Sequence, residues 1–522
     1  MRRENLVISF LIALSIVPGL RTATYAQNGI GSKETPAVMA ERMINNHYFQ
    51  DKDKAKGESF CWYARPGMGD FLENYNLSKN TGWLDAGIKY YDFLVAKMDV
   101  DPDGYRGWIG PADLGDLWQD AMVGDAILCE GMVDFCVLVK EDKNLNAKYG
   151  KKADEYIKLI KRDFFEKYDK RGCWVEDGPF ASYIGFPKYV NKDNMKVWVM
   201  GPEKVIPGIS NPFNKQMDAG VLALKMWRIT KDNYHKDKAV KIFFTAKSHF
   251  QCFDNHYCWN YYDPLYKGDV DVEGNTTRHW VGNHPWRSGY QAGEVGMIAE
   301  AYHYGIVFDE QDIKRIINTN LNVMWNKDKV NPKYINSNGA GADGDTTGIA
   351  AFRKTYGHSN VVKNAGELWT GLLDFDQTIR DLYELRFKGD KNSDEYIKYK
   401  NTVLANPPSF KRKYAKGNIT VPKIDFSECK YIYMAAVLPH IIANGEKSVI
   451  ICKSKKPDTL KIDVYSKNGK QLLNLYDGKI ADGFYTTTWD GKDPANKVAF
   501  KGDYKIRWTT GNGYREYPIV IK

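Results

Sequence analysis

The chain has 522 residues, of which 43% are hydrophobic and 27% charged, and a formal charge of +9. That balance excludes a disordered tail and a fibrous repeat, and the length fits one large domain plus a smaller one. Its 14 Trp and 34 Tyr suit a protein that stacks flat faces against ligands, and the mild positive charge suits an anionic substrate without requiring one.

Residues 1–26 read as a secretory signal: Arg2 and Arg3 precede an apolar run from Leu6 to Leu20, and Thr24-Tyr25-Ala26 supplies a cleavage site. Cleavage removes Arg2, Arg3, Arg21 and Glu4, three cations and one anion, taking +9 to +7. No Cys follows the apolar run to carry a lipid, and no later stretch reaches the roughly 18 uncharged apolar residues of a membrane span. The expectation is a secreted or periplasmic protein. Its eight Cys are scattered with no CxxC or zinc-like spacing, so most read as buried thiols, with Cys252 and Cys258 the pair best placed for a disulfide.

Residues 27–408 carry helical periodicity. A first helix falls near 36–49, and amphipathic segments lie at 83–98, 152–168, 238–250, 311–325 and 392–404. Between them, 68–77, 117–140, 214–229, 289–305 and 366–386 are apolar nearly all round, which predicts buried helices. Two outer helices run into similar sequences, Arg171-Gly172-Cys173-Trp174 and His256-Tyr257-Cys258-Trp259. One buried and one half-exposed helix recurring every 65–90 residues or so predicts a mainly α fold, an (α/α) toroid of five or six helical hairpins, with an open helical solenoid as the competing reading. Asp218-Ala219-Gly220, Gln291-Ala292-Gly293 and Asn364-Ala365-Gly366 are expected to let neighbouring backbones approach. After Pro408 the texture alternates, giving a β-rich connecting segment over 409–455 and a small β-sandwich over 456–522; a chain ending near Pro408 is expected to fold and function. The Thr488-Trp489-Asp490-Gly491 and Lys501-Gly502-Asp503-Tyr504 elements resemble the immunoglobulin-like module of flagellar hook-cap proteins, which implies an accessory domain without catalytic residues.

In such a ring the loops entering the buried helices converge, so chemistry is expected there. The loop and helix start over 277–294 are richest in functional side chains: His279, Trp280, Asn283, His284, Trp286, Arg287, Tyr290 and Glu294. β-Elimination on a uronic acid needs a neutralised carboxylate, a base for the C5 proton and an acid for the departing oxygen, and Asn283, Arg287, His284 and Tyr290 offer that set. Asn283-His284-Pro285-Trp286 resembles the Asn-His-x-aromatic element of the alginate lyase group within the helical-toroid polysaccharide lyases. That resemblance implies a Tyr acting as acid and base. The rival is glycoside hydrolysis by two carboxyls, for which Asp70, Glu73, Asp116, Asp120, Asp218, Glu294 and Glu367 are on offer and any two could face each other, with Asp218 and Glu294 counted among the catalytic candidates; a uronate C5-epimerase and a non-catalytic glycan-binding protein complete the alternatives. Trp62, Arg65, Glu73, Trp118, Asp120, Asn211, Asn214 and Gln216 are expected to bind substrate from the other helix entrances. The expected partner is a polysaccharide or oligosaccharide, anionic in character, with no nucleic acid. No cofactor or metal is expected: Asp99, Asp101 and Asp103 begin like a calcium loop, but Gly110 stands where the closing Glu belongs.

Overall fold

A computed structural model describes residues 34–50, 56–114, 116–201, 208–253, 255–270, 288–335, 337, 366–415, 432–443, 446–454, 458–480, 483–493, 495, 501–511 and 513–522. The expected signal segment therefore lies outside the described residues, among which no helix is long and apolar enough to cross a membrane. The chain divides into two compact units, one formed by Met1–Arg171, Phe186–Pro207 and Asn392–Lys398, the other by Gly172–Gly185, Gly208–Lys391 and Tyr399–Lys522.

The first unit holds helices α1 (Pro36–Ile44), α2 (Gly57–Ser78), α3 (Gly82–Val95), α4 (Met122–Glu141) and α5 (Lys143–Ile160). Local chemistry sets their ends. Thr35 caps α1 with Pro36 at its first position, and Asp142 is the only residue between α4 and α5. The Asp142 carboxylate accepts the N–H groups of Asn144 and Leu145 at 2.8 and 3.0 Å, so one residue both ends α4 and starts α5, forcing an antiparallel hairpin. As its lack of a polar face predicts, α4 is buried along most of its length. Beyond α5 the chain widens into a π-helical stretch over Lys161–Glu166 and resumes as a single α-turn over Lys167–Lys170. A four-stranded antiparallel sheet completes the unit, in the order Gly110–Leu114, Leu117–Gln119, Lys188–Asn191, Asn194–Met200. Sequence periodicity misses this sheet, and it continues the buried helix back to 117, where the structure has the strand Leu117–Gln119 and α4 begins only at Met122.

The second unit contains helices α6 (Phe213–Thr230), α7 (Asn233–Ser248), α8 (Ser288–His303), α9 (Glu310–Asn318) and α10 (Gln377–Glu384). α6 and α7 form a hairpin turned by Lys231 in the left-handed region and capped by Asp232. A Cβ on Gly220 would stand 2.9 Å from the Phe243 ring, whereas one on Gly293 would meet nothing within 4 Å; the expected close approach is real for the first small motif and absent for the second. The approach on α8 occurs at Gly296 instead, whose backbone lies 2.7 Å from where a Cβ on Gly371 would sit. The segment 366–386 is not one long helix: it holds a 3₁₀ turn at Thr370–Leu372 before Asp376 caps α10.

The C-terminal part is β-rich, as the alternation predicts. One antiparallel sheet runs Ile432–Leu438, Ser448–Ser454, Gly483–Trp489; the other runs Ile441–Ile442, Gly513–Ile521, Gly502–Thr510, Asp458–Ser466, Gln471–Ile480, its first pair parallel. Along Gly502–Thr510, Tyr504, Ile506, Trp508 and Thr510 face inward at period two. Helical pairs followed by a β-rich end are thus the observed architecture, while closure of the hairpins into a ring is not established by either unit. Seven thiols (Cys61, Cys129, Cys136, Cys173, Cys252, Cys258, Cys452) are buried and none is bridged. The expected Cys252–Cys258 link is excluded by register. Cys252 pairs with Tyr257 across the Gln251–Phe253 and His256–Cys258 hairpin, so Cys258, one residue on, points to the opposite face.

The β-rich part shares its core with the helical part of the second unit. Tyr262 and Val270 cluster with Met434, Ala436, Leu438 and Ile451. A chain ending at Pro408 is therefore expected to expose Tyr262 and Val270, lose the cooperative unfolding of this unit and bind a hydrophobic dye at neutral pH; an unchanged denaturation profile for the helical part would contradict this.

Candidate functional site

Two clusters of buried charge stand out, one in each unit. In the first, the turn after α5 places Lys167 with no exposure at all. Its ammonium donates to Asp120 Oδ2 at 2.6 Å, to Asp125 Oδ2 and to the Arg106 carbonyl at 2.8 Å, which uses all three protons. Arg171, one turn on, reaches Asp101 at 2.6 Å, Asp103 at 2.8 Å and Asp120 at 2.9 Å. Burial alone would raise Asp120, but the Lys167 and Arg171 cations outweigh it and hold this carboxyl well below the usual range. Burial and the Asp120 charge push Asp125 the other way, and they lift Asp101 to about 7 against the pull of Arg171. Lys167 and Arg171 each bind two or more of these carboxyls, which makes the network a structural lock, with Asp101 Oδ1 the buried oxygen left without a hydrogen bond among the described residues. Asp99 pairs with Lys56, so the three acids of the calcium-like run are engaged by cations. Among the described residues no group of three His, Cys, Asp or Glu side chains is disposed to hold a metal.

In the second unit the starts of α6 and α8 meet around Glu294, which has no exposure. Glu294 Oε2 accepts the indole N–H of Trp259 at 2.6 Å, and Oε1 is buried without a hydrogen bond. Burial, then the nearby charge of Asp218, raises its pKa to about 8, although the Trp259 indole and the Asn214 backbone N–H favour the ionised form. The carboxyl is thus protonated at neutral pH. Gln291, one turn earlier on α8, donates to the Trp259 carbonyl at 3.1 Å and accepts from Ser337 at 2.9 Å, fixing the residue that holds Glu294. The rings of Trp369 and Phe250 pack on Trp259 at 5.7 and 4.7 Å. Tyr290 is half-buried, with its ring 4.9 Å from that of Tyr261.

The residues expected to act together are distributed accordingly. Asp218, Asn214, Tyr290 and Glu294 do gather near the α6 and α8 starts. Gln216 and Asn211 stand on the same approach, but their amides are spent on main chain: Gln216 exchanges two 2.8 Å bonds with the Tyr183 backbone, and Asn211 donates to the Tyr183 carbonyl at 3.2 Å. Trp62, Arg65, Glu73, Trp118 and Asp120 belong to the first unit. There Trp62 donates to Glu58 at 3.1 Å, Arg65 to Glu130 at 3.0 Å, Glu73 pairs with Lys398, and Lys56 lies 5.9 Å over Trp118. His279, Trp280, Asn283, His284, Trp286 and Arg287 lie outside the described residues. Sequence reasoning missed Trp259, Gln291 and Lys167. The Cys258-Trp259 recurrence was a signal for the first; nothing local marks a lysine neutralised by acids more than 40 positions away.

No family model and no curated protein matches the chain. Among solved structures, it is similar to the Pseudomonas fluorescens alkylpurine DNA glycosylase AlkC bound to DNA containing an abasic site analog, at 9% identity and a TM-score of 0.14 over 92% of this chain and 99% of that one. That likeness is too slight to carry a fold or a function. Neither the family models nor the curated proteins return a helical-toroid polysaccharide lyase or a flagellar hook-cap immunoglobulin-like module in support of the earlier expectations, and the solved structure named here is a DNA-bound glycosylase. The four-residue Asn-His-Pro-Trp element and the Trp-Asp-Gly pattern were too short to define families. Polysaccharide degradation by β-elimination, and a glycan partner to the exclusion of nucleic acid, are withdrawn.

Two outcomes follow for stability. Lys167→Met leaves Asp120 and Asp125 buried without their cation and is expected to cost about 3–5 kcal/mol in urea unfolding; a loss below about 1 kcal/mol would contradict the lock. Glu294 has a folded pKa above its unfolded value, so it stays protonated in the folded state while the unfolded chain ionises. Stability therefore falls as pH rises from about 4.5 to about 8 and is flat beyond. Glu294→Gln is expected to flatten this slope and to be more stable than the parent at pH 9 by about 2–4 kcal/mol; parallel curves for the two chains would refute the assignment.

Proposed function

We propose that this protein is an enzyme that hydrolyses a glycosidic bond by general-acid catalysis, with Glu294 as the proton donor and Asp218 as the second carboxyl of the site. The observation that carries the reading is a carboxyl sealed from water, with one oxygen held by the Trp259 indole and the other without a hydrogen bond among the described residues; burial and the neighbouring Asp218 raise its pKa, the kind of environment that favours a general acid in a two-carboxyl site. Trp259 orients the group by holding Oε2 and so leaves Oε1 to carry the transferable proton. The start of α6 faces the same carboxyl through the Asn214 N–H, which stabilises the carboxylate once the proton has gone. Glu294 has no exposure, so turnover in this reading requires a local opening before substrate reaches it.

A panel of aryl glycosides with leaving groups of graded acidity tests the proposal. The parent is expected to release the aryl alcohol with a rate that declines above pH 8 or so, as Glu294 ionises. Glu294→Gln is expected to lose about 10²–10⁴-fold on a poor leaving group and far less on the most acidic one, which departs without protonation. A uniform loss across the panel, or none, would remove Glu294 from the donor role.

A further inference from the structure

We propose that the β-rich C-terminal part positions the Glu294 site through Tyr517, His249 and Asp263, the last two gripping the short loop that presents Trp259. The inference rests on the reading of Glu294 as proton donor and adds the elements that hold the donor in place.

The path is continuous in space. Trp259 opens the loop 259–263, which is tied down at its far end: Asp263 has no exposure and accepts from Asn260 Nδ2 at 2.9 Å and from His249 Nδ1 at 3.1 Å. In the middle, the Tyr261 carbonyl accepts the Phe213 N–H at 3.3 Å, which ties the loop to the first residue of α6. Tyr262 is sunk among Met434, Ala436, Leu438 and Ile451 of the β-rich part. His249 caps the end of α7 and is 4% exposed, its ring 5.5 Å from Phe213 and 5.8 Å from Tyr517. Tyr517, on the strand Gly513–Ile521, donates its hydroxyl to the carbonyl of Ser248, the residue before His249, at 2.8 Å. Arg515 donates to that hydroxyl at 3.0 Å.

Each contact fixes a different degree of freedom. A buried carboxylate with two directed donors does not rotate without leaving a donor unmet, a cost of about 1–3 kcal/mol. Asp263 therefore sets the loop's exit angle, and His249 sets Asp263. Tyr517 bonds the Ser248 carbonyl and so acts as a positioning residue through the end of α7. The indole of Trp259 is the readout, because its N–H is bonded to Glu294 itself.

The test uses the full chain with ¹⁵N-labelled tryptophan and follows the Trp259 indole N–H resonance against pH, assigned by Trp259→Phe. In the parent it is expected to titrate with a midpoint near 8, and Glu294→Gln is expected to abolish that titration. Tyr517→Phe and Asp263→Asn loosen the loop, weaken the bond that favours the carboxylate and are expected to raise the midpoint by about half a unit or more. Should Asp263→Asn fail to fold, Tyr517→Phe, which deletes a single oxygen, carries the test. An unchanged resonance and midpoint in the folded variants would overturn the positioning role while leaving Glu294 as donor. Titration that persists in Glu294→Gln would instead overturn the reading of Glu294.

Discussion

One contact governs the second unit: the 2.6 Å bond from the Trp259 indole to a Glu294 carboxyl that sees no water. A carboxyl in that position costs free energy in its ionised form, and a single N–H donor plus one backbone amide does not offset the loss of hydration. The group is therefore neutral near pH 7 and stores a proton. The packing of Trp369, Phe250, Gln291 and Asn214 around the pair follows from that need to exclude water while still orienting the acid.

The first unit solves the opposite problem. There, cations and carboxylates are buried together, so that Lys167 and Arg171 neutralise Asp120, Asp101 and Asp103 at 2.6–2.9 Å. Ion-pair networks of this kind specify one arrangement of the chain rather than a reactive group. The contrast between the two clusters separates structure from chemistry. Asp120 is held ionised by its cations, whereas burial raises Glu294, which has no ion pair among the described residues.

Much of the fold was legible because it depends on short-range pattern. α4 is apolar on every face and is buried, and the end of the helical texture after Pro408 precedes a β-rich part. The small strands between helices escaped because three to seven residues give too little periodicity, and the helix expected over 366–386 is reduced to α10, which starts only where Asp376 caps it. The site was legible in part. Asp218 and Glu294 lie on the buried helices α6 and α8 and were two of the seven acids offered as a carboxyl pair. Trp259 was hidden because its role depends on a partner 35 positions later, and Lys167 because a lysine on an amphipathic turn normally reads as solvated. Family resemblance from four residues was the weakest inference and the one that had to be withdrawn.

The account stands on the protonation state of a single side chain. Infrared difference spectra between the parent and Glu294→Gln, recorded across pH 5–10, isolate that carboxyl. The account predicts a protonated carboxyl band present at pH 7 and lost with a midpoint near 8. A carboxylate band already complete at pH 6 would show that Glu294 is ionised throughout and would contradict the central claim.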